Sequence, residues 1–159
     1  KILDTRKTTP GIRFLEKEAV TIGGGKNHRM GLYDMIMIKD NHVDFSGGIS
    51  IAIDKANEYI KNNKLDIKIE VEVRDFEELD VVLNKGNVHR IMLDNFSVSD
   101  LKEAVKKINK QYETEASGGI NEKTIVNYAE TGVDFISVGA LTHTVKNFDI
   151  SLIAKPHEQ

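Results

Sequence analysis

Residues 67–74 read IKIEVEVR, and the strict alternation of apolar and charged side chains in this stretch decides the fold. Successive side chains of a strand point to opposite faces, so the apolar residues face one way and four charged residues face the other: Lys68, Glu70, Glu72 and Arg74. Strands buried in an open parallel sheet usually read as continuous apolar runs instead. The interior of a parallel barrel can hold charged groups near its active-site mouth. The alternation therefore favours a barrel over an open, doubly wound sheet.

The rest of the chain alternates between segments that are typical of strands and of helices. Strands are predicted over residues 1–7, 35–40, 67–74, 89–95, 112–117 and 134–140. Helices are predicted between them, over residues 13–22, 49–63, 75–86, 99–110 and 121–132. Repeated alternation of this kind implies parallel strands joined by right-handed crossovers. A closed eight-unit barrel needs roughly 250 residues, so we predict an α/β fold that is a partial or open parallel βα barrel, TIM-like, with about six to seven strands.

Composition narrows the classes of partner. The chain has 159 residues, enough for one domain with its own core. A net charge of −3 argues against nucleic acid and membranes as partners, although it allows a local basic pocket. No apolar run approaches the ~20 residues of a membrane span. The sequence has no cysteine, which excludes disulfides and thiolate chemistry and is expected of a cytoplasmic protein.

Basic residues gather around the ends of the first two predicted strands, where the active site of a βα barrel forms. Arg6 and Lys7 end the first strand, and Lys39 ends the second. His28 and Arg29 belong to the glycine-rich loop that leads into the second strand. Together these side chains predict a pocket for an anion. Lys39 could alternatively form a Schiff base, or pair with a neighbouring glutamate.

Carboxylates and small residues follow the later strands. Glu72 and Asp94 end neighbouring strands, so their oxygens could share a magnesium ion with water and substrate oxygens. The alternative is a pair of buried salt bridges to Lys39 or Arg6. The last two strands run into small residues whose backbone N–H groups can approach a phosphate: Ser117, Gly118, Gly119 and Gly139. Tight turns alone would also explain these glycines.

Seven blocks of the sequence, taken in order, resemble those of one enzyme family. They are DTRKTTPG (4–11), GGGKNHRMGLYD (23–34), IKDNH (38–42), EVEV (70–73), LDN (93–95), EASGGI (115–120) and ISVGALTHT (136–144). The blocks cover almost the whole chain and are together far more specific than a single glycine turn. On these residues the chain resembles the quinolinate phosphoribosyltransferases, also called nicotinate-nucleotide pyrophosphorylases (carboxylating).

The resemblance implies a reaction and an assembly. Quinolinate and phosphoribosyl pyrophosphate would give nicotinate mononucleotide, pyrophosphate and CO2 in NAD biosynthesis, with Mg2+ as cofactor. The fold implied is an open barrel, often described as seven-stranded, that follows an amino-terminal domain, and we expect this chain to represent the barrel domain without it. A homodimer or higher oligomer is also implied, in which the partner's amino-terminal domain contributes an arginine to the site. The chain alone is therefore expected to be poorly active.

The resemblance also assigns roles to residues by motif. The carboxylates of quinolinate are expected on four side chains: Arg6, His28, Arg29 and Lys39. Lys7 is expected on the dianion or the pyrophosphate. The magnesium-bound ribose and pyrophosphate are expected near Glu72 and Asp94, so the predicted catalytic residues are Lys39, Lys7, Glu72 and Asp94. The 5′-phosphate is expected on Ser117, Gly118, Gly119 and Gly139, with His143 nearby. Thr144 stands where the family commonly has serine.

Three other functions remain open at this point. The first is a related phosphoribosyltransferase that acts on another acidic ring, such as nicotinate. The second is a Schiff-base lyase that uses Lys39. The third is an inactive fragment, because the family's site lies at a dimer interface.

Overall fold

A single curled sheet forms the centre of the molecule in the computed structural model, which describes residues 1–146 and 149–154. Its six parallel strands are β1 (Ile2–Leu3), β2 (Met35–Ile38), β3 (Lys68–Val73), β4 (Arg90–Asp94), β5 (Glu113–Ser117) and β6 (Phe135–Ser137). The helices are α1 (Arg13–Ile22), α2 (Asp40–Ser46), α3 (Ile49–Asn63), α4 (Phe76–Lys85), α5 (Val98–Ile108), α6 (Ile125–Ala129) and α7 (Ala140–His143). This order of elements confirms the predicted open, TIM-like α/β barrel.

A single paired residue extends the open sheet beyond β1. Hydrogen bonds join the strands in the order β1-β6-β5-β4-β3-β2. On the free side of β1, the N–H of Lys26 donates to the carbonyl of Ile2 at 2.9 Å, and the carbonyl of Lys26 accepts from the N–H of Asp4 at 3.2 Å. This isolated bridge stands where a seventh strand would lie. The sequence did not reveal it, because one paired residue leaves no alternation to detect.

The alternation in β3 separates an apolar core from a charged lumen. Three fully buried residues pack under the helices: Ile69, Val71 and Val73. Glu70 points the other way and is also fully buried, inside the barrel, with Arg90 and Glu115 of the next two strands. Charged groups are stable in such a place only when they are paired. The prediction that this charged face lines a barrel lumen is confirmed for Glu70, whereas Lys68 and Arg74 at the two ends of the face are exposed.

The second strand is shorter than predicted and leads directly into a helix. β2 ends at Ile38, and α2 begins at Asp40. Lys39 is the N-cap of α2, and its N–H donates to Nδ1 of His42 at 3.0 Å. Val43 is the one residue of α2 that is buried, so the helical periodicity of residues 40–46 was too weak to detect. Lys39 therefore stands at a strand–helix junction, as the first residue beyond the sheet.

The longer helices begin and end close to their predicted positions, and side-chain caps mark the start of two of them, α4 and α5. The carboxylate of Asp75 accepts from the N–H of Glu78 at 2.8 Å at the start of α4, and Gly86 follows its end. Ser97 caps α5 in the same way. Within the part of the chain that the structure describes, no helix combines the length and apolarity that crossing a membrane requires.

Candidate active site

A cavity of about 220 Å³ lies at the carboxyl ends of the strands. Its lining comes from the loops that follow β1 and precede β2, and from the ends of four strands: Thr5, Arg6, Lys7, His28, Arg29, Met37, Lys39, Met92, Ser117 and Ser137. Six predicted site residues are thus brought together: Arg6, Lys7, His28, Arg29, Lys39 and Ser117. The other six predicted residues are outside the lining: Glu72, Asp94, Gly118, Gly119, Gly139 and His143. The sequence did not single out Thr5, Met37, Met92 or Ser137.

A larger cavity of about 460 Å³ lies beside the glycine-rich loop and has a different character. Its lining consists of Ile2, Ala19, Val20, Gly23, Gly24, Gly25 and Leu141. None of these side chains is ionisable, so nothing in this lining attracts a charged substrate. Size alone would not select the cavity of about 220 Å³, because another cavity among the described residues measures about 700 Å³. The cationic lining of the smaller cavity selects it.

Three cations of the smaller cavity have no carboxylate partner among the described residues: Arg6, Lys7 and Arg29. The Nε atom of Arg6 is buried and lacks a hydrogen-bond partner. Burial and the neighbouring Arg6 guanidinium lower the pKa of Arg29. Because like charges close together in a partly buried site repel each other, the cavity carries a positive charge that an anion would neutralise.

Lys39 differs from these three cations because its ammonium group is paired with Glu72. This contact is the salt bridge that the sequence left open as an alternative role for Glu72. The Lys39 side chain is 41 % exposed, whereas the amine of a Schiff-base lysine is normally kept dry. The geometry therefore favours Lys39 as a charged ligand for carboxylates over Lys39 as a nucleophile.

Asp94 continues the row of carboxylates that Glu72 begins. β3, β4 and β5 are parallel and in register, with Glu72 beside Met92 and Asp94 beside Ser117. Asp94 accepts a hydrogen bond from Nδ2 of Asn95 at 2.6 Å. Two carboxylates on adjacent strand ends, next to a cavity for anions, offer the oxygen ligands that a magnesium ion prefers alongside water and substrate oxygens.

Glycines stand in the turns after β5 and β6, but only the turn after β5 has a conformation that requires them, because Gly139 has a φ of −61°. Gly118 has a φ of +101°, and a Cβ atom there would lie 2.2 Å from Oδ1 of Asn95. Gly119 follows with a φ of +61°. At Gly139, a Cβ atom would lie 2.9 Å from the imidazole of His143. The side chains of Asn95 and His143 therefore pack against these glycines, and a phosphate-binding role for the two turns stays a prediction.

A buried ion pair that the sequence did not reveal joins two loops of the cavity. Lys17 of α1 and Asp4 are both fully buried, with 2.6 Å between Nζ and Oδ1. Oδ1 of Asp4 also accepts the N–H of His28 at 2.8 Å, and Nζ of Lys17 donates to the carbonyl of His28 at 3.2 Å. With its amide nitrogen turned towards these groups, Asn27 donates to Asp4 Oδ2 and to the carbonyl of Lys17. The network fixes the loop that carries Arg29 against the one that carries Arg6.

The imidazole of His28 is held by protein groups at both ring nitrogens. Its Nε2 atom lies 3.1 Å from Oε2 of Glu70 and 3.3 Å from Oε1 of Glu115. Its Nδ1 atom accepts the N–H of Arg29 at 2.7 Å. These three groups, His28, Glu70 and Glu115, are also the one set among the described residues whose geometry could hold a metal ion by itself. The sequence could not reveal the set, because its members come from a loop and two separate strands.

Opposing influences act on the proton of His28. Burial disfavours an imidazolium, but the hydrogen bonds and charges of Glu115 and Glu70 outweigh it and raise the pKa of His28 to about 9. The hydrogen bond from the Arg29 N–H favours the neutral imidazole instead, because the bond needs a lone pair on Nδ1 that only the neutral ring has. Burial raises the pKa of Glu70, whereas His28 and Arg90 overcome burial and lower that of Glu115. Whether the imidazole is neutral or protonated, a proton on Nε2 faces the carboxyl groups of Glu70 and Glu115.

Comparison with known proteins places the chain in one family. The model of the family "Quinolinate phosphoribosyl transferase, C-terminal domain" matches residues 1–153. Quinolinate phosphoribosyltransferase (decarboxylating) 2b, mitochondrial, from Nicotiana tabacum is 52% identical over 165 residues, which cover 95% of this chain and 47% of the relative. The probable nicotinate-nucleotide pyrophosphorylase (carboxylating) of Bacillus subtilis (strain 168) is 47% identical over 152 residues, which cover 96% and 51%. The chain spans about half the length of these curated relatives.

A solved structure agrees with these sequence matches. The nicotinate-nucleotide pyrophosphorylase from Francisella tularensis superposes with a TM-score of 0.85 at 46% identity, over 92% of this chain and 50% of that one. A family model that covers nearly the whole chain, relatives near 50% identity and a matching barrel lead to the same assignment. The chain belongs to the quinolinate phosphoribosyltransferase family and corresponds to the carboxy-terminal domain of its members.

Proposed function

We propose that the protein containing this chain transfers the phosphoribosyl group of phosphoribosyl pyrophosphate to quinolinate, with loss of CO2, in NAD biosynthesis. The observation that carries this proposal is the cavity of about 220 Å³, in which Arg6, Lys7 and Arg29 have no carboxylate partner among the described residues. Such a volume suits a single ring with short substituents, and cations of this number suit a dianion. The names of the relatives supply the reaction that this chemistry fits.

The cations of the cavity bind and orient the ring. Charge-assisted hydrogen bonds from Arg6, Arg29 and Lys39 to the two carboxylates direct the pyridine nitrogen at the anomeric carbon of the ribose. The lone pair of that nitrogen forms the new C–N bond while the C–O bond to pyrophosphate breaks, and the pyrophosphate leaves with the bonding electrons. Lys7 stabilises the charge on the departing group. Glu72 and Asp94 favour the positive charge that develops on the ribose.

Loss of CO2 then follows from the charge on the ring. Once the nitrogen is quaternised, the bond between the adjacent ring carbon and its carboxylate breaks and CO2 departs. The electron pair stays on the ring carbon, stabilised by the neighbouring pyridinium, and a proton from water completes the C–H bond. Because the pyridinium ring itself accepts the electron pair, no further organic cofactor is required. The role of the site is to hold the ring and to exclude competing reactions.

Turnover of two acidic rings tests this function on the full-length gene product. We expect quinolinate and phosphoribosyl pyrophosphate to give nicotinate mononucleotide and CO2 in equal amounts, with nicotinate a much poorer substrate, because it offers one carboxylate to the cations. Equal or faster turnover of nicotinate would instead assign the chain to the related phosphoribosyltransferase. A substrate adduct trapped by borohydride on Lys39 would establish the lyase.

We further propose that Glu72 and Asp94 hold the magnesium ion, which neutralises charge on the pyrophosphate when bound. Replacing either acid by its amide, Glu72→Gln or Asp94→Asn, is expected to raise the Mg2+ concentration for half-maximal activity roughly tenfold or more. The control is Glu77→Gln, which removes an exposed carboxylate of α4. Activity measured across a magnesium titration decides the matter. The same half-maximal Mg2+ concentration in all three variants would remove Glu72 and Asp94 from the metal site.

The assembly and the compartment are also proposals. We infer a homodimer or higher oligomer in which other parts of the protein complete the site, since the chain matches about half of each curated relative. Large apolar side chains of α1 support a covering partner, because they are exposed: Phe14, Leu15 and Ile22. A cytoplasmic location rests on the absence of cysteine from the chain, while the relative from Nicotiana tabacum is named mitochondrial.

A further inference from the structure

A cluster of ionisable side chains fills the barrel lumen beneath the cavity and has no role in the function proposed above. Glu70 and Glu115 are fully buried, and both face Nε2 of His28. Arg90 completes the cluster, because its NH1 atom donates to Oε2 of Glu115 at 2.9 Å. The members come from three neighbouring strands and one loop. They therefore form one connected unit that reaches from the interior of the barrel to the lining of the cavity.

Arg90 anchors the lower end of this unit. Its guanidinium carbon lies 4.0 Å from the centre of the Phe135 ring, and its NH2 atom donates to Oε2 of Glu113 at 3.2 Å. The stacked, doubly paired guanidinium has little freedom to move. Glu115 then uses one oxygen for Arg90 and presents the other to His28. The position of the imidazole is thereby tied to a fixed point in the sheet.

Burying this cluster of charged side chains in the barrel lumen costs free energy. Both carboxylate oxygens of Glu70, Oε1 of Glu115 and Nε2 of His28 are buried without a well-aligned hydrogen bond to any described residue. A single Nε2–H cannot point directly at two carboxylates at once, which accounts for the poor angles. Apolar side chains of similar volume would commonly be at least as stabilising as buried charges of this kind. Fold stability therefore does not explain the cluster, whereas a demand made by the cavity does.

We propose that Glu115, held by Arg90, is a positioning residue for the substrate cavity: it fixes the imidazole of His28, which in turn fixes the backbone of Arg29. The last link is the hydrogen bond from the Arg29 N–H to Nδ1 of His28 at 2.7 Å. Glu115 does not line the cavity, so it acts through its neighbours alone. The identity of the substrate in this inference rests on the proposed function, but the chain of contacts does not.

Two glutamates of β5 form a matched pair for testing this role. Glu113 and Glu115 both pair with Arg90, but of the two only Glu115 faces His28. An amide has one acceptor, whereas Glu115 uses two, so Glu115→Gln must lose the contact with either Arg90 or His28. In the full-length gene product we expect this variant to raise KM for quinolinate roughly tenfold, with KM for phosphoribosyl pyrophosphate nearly unchanged. Glu113→Gln should change both KM values far less, because Phe135 and Glu115 still hold Arg90 in this variant.

Two kinetic results would overturn the proposal. One is an equal effect of the two variants, which would mean that only the charge around Arg90 matters. The other is an equal rise in both KM values for Glu115→Gln, which would mean general damage to the barrel. If Glu115→Gln does not fold, Glu115→Asp takes its place, because it keeps the charge and withdraws the carboxylate from Nε2 by one methylene group. The same outcomes then apply to it.

A measurement without substrate separates this inference from the proposed function. In 15N spectra of labelled imidazoles, with His28→Asn used for assignment, the His28 resonances should shift in Glu115→Gln and stay in place in Glu113→Gln. Unshifted resonances in Glu115→Gln would overturn the positioning role even if quinolinate is the substrate. Shifted resonances in a protein that does not turn over quinolinate would support positioning and reject the substrate. One tightly bound metal ion per chain, lost in Glu115→Gln, would replace positioning by metal binding.

Discussion

Lys39→Ala is expected to lower kcat/KM for quinolinate by roughly 100- to 1,000-fold. Two effects combine in this variant. The substrate loses a charge-assisted contact to one carboxylate, and Glu72 loses the ammonium group with which it is paired. An uncompensated Glu72 would then repel a dianion at the mouth of the cavity. Steady-state kinetics of the full-length gene product measure the loss, and near-normal turnover would remove Lys39 from the catalytic residues.

The double variant Lys39→Ala with Glu72→Gln separates the two effects. Removing the negative charge of Glu72 should restore part of the quinolinate affinity that Lys39→Ala loses, because the repulsion disappears. It should not restore kcat, because Glu72 is also a proposed ligand of magnesium. Lys39→Arg is the charge-preserving control: it should retain more affinity than Lys39→Ala while its larger guanidinium still disturbs the geometry. Independent, additive losses in KM would show that the ion pair has no influence on substrate binding.

Lys17→Met is expected to lower the free energy of unfolding by about 3–5 kcal/mol, because it leaves Asp4 buried without its cation. Lys17 and Asp4 are both fully buried, and water cannot replace the lost partner. Chemical denaturation gives the value. The matched control is Lys107→Met, which breaks an exposed pair with Asp80 of similar length, 2.6 Å, and should cost less than about 1 kcal/mol. Equal losses in the two variants would show that Asp4 is hydrated or otherwise neutralised.

A second replacement distinguishes the buried charge from the packing of Lys17. In Lys17→Met with Asp4→Asn, the uncompensated charge is gone, so much of the lost stability should return. Activity should return less completely than stability. Asp4 also accepts the N–H of His28, and an asparagine in its place fixes the loop of Arg29 less firmly. Full recovery of both stability and activity would show that the network of Lys17, Asp4 and His28 contributes to stability alone.

The sequence predicted the barrel well because its decisive signal is local. Alternation within IKIEVEVR depends on neighbouring residues, and the cap Asp75 acts within one helical turn. The cavity lining was partly predictable for a related reason: parallel strands bring their carboxyl ends to one mouth, so Arg6, Lys39 and Ser117 had to approach each other.

The residues that support the cavity were not predictable, because their partners are distant in sequence. Lys17 meets Asp4 across 13 positions, and Arg90 meets Glu115 across 25. One signal for Lys17 was available: it lies three residues before Val20, on the buried face of α1, where an unpaired lysine is rarely found. Nothing similar marked Glu115, since the sequence ETEAS allows either face of the strand to be the inner one.

The isolated bridge at Lys26 gives the two halves of the mouth different mechanical properties. β4 and β5 are joined over five residue pairs, so Asp94 and Ser117 stand on a cooperative part of the sheet. His28 and Arg29 come just after one paired residue, and side chains alone fix them beyond it. A ring of slightly different shape can therefore be accommodated by the loop without breaking any strand pairing. The side of the cavity with the proposed phosphate and magnesium sites is therefore the more rigid one, and the side with the proposed contacts to quinolinate can adjust.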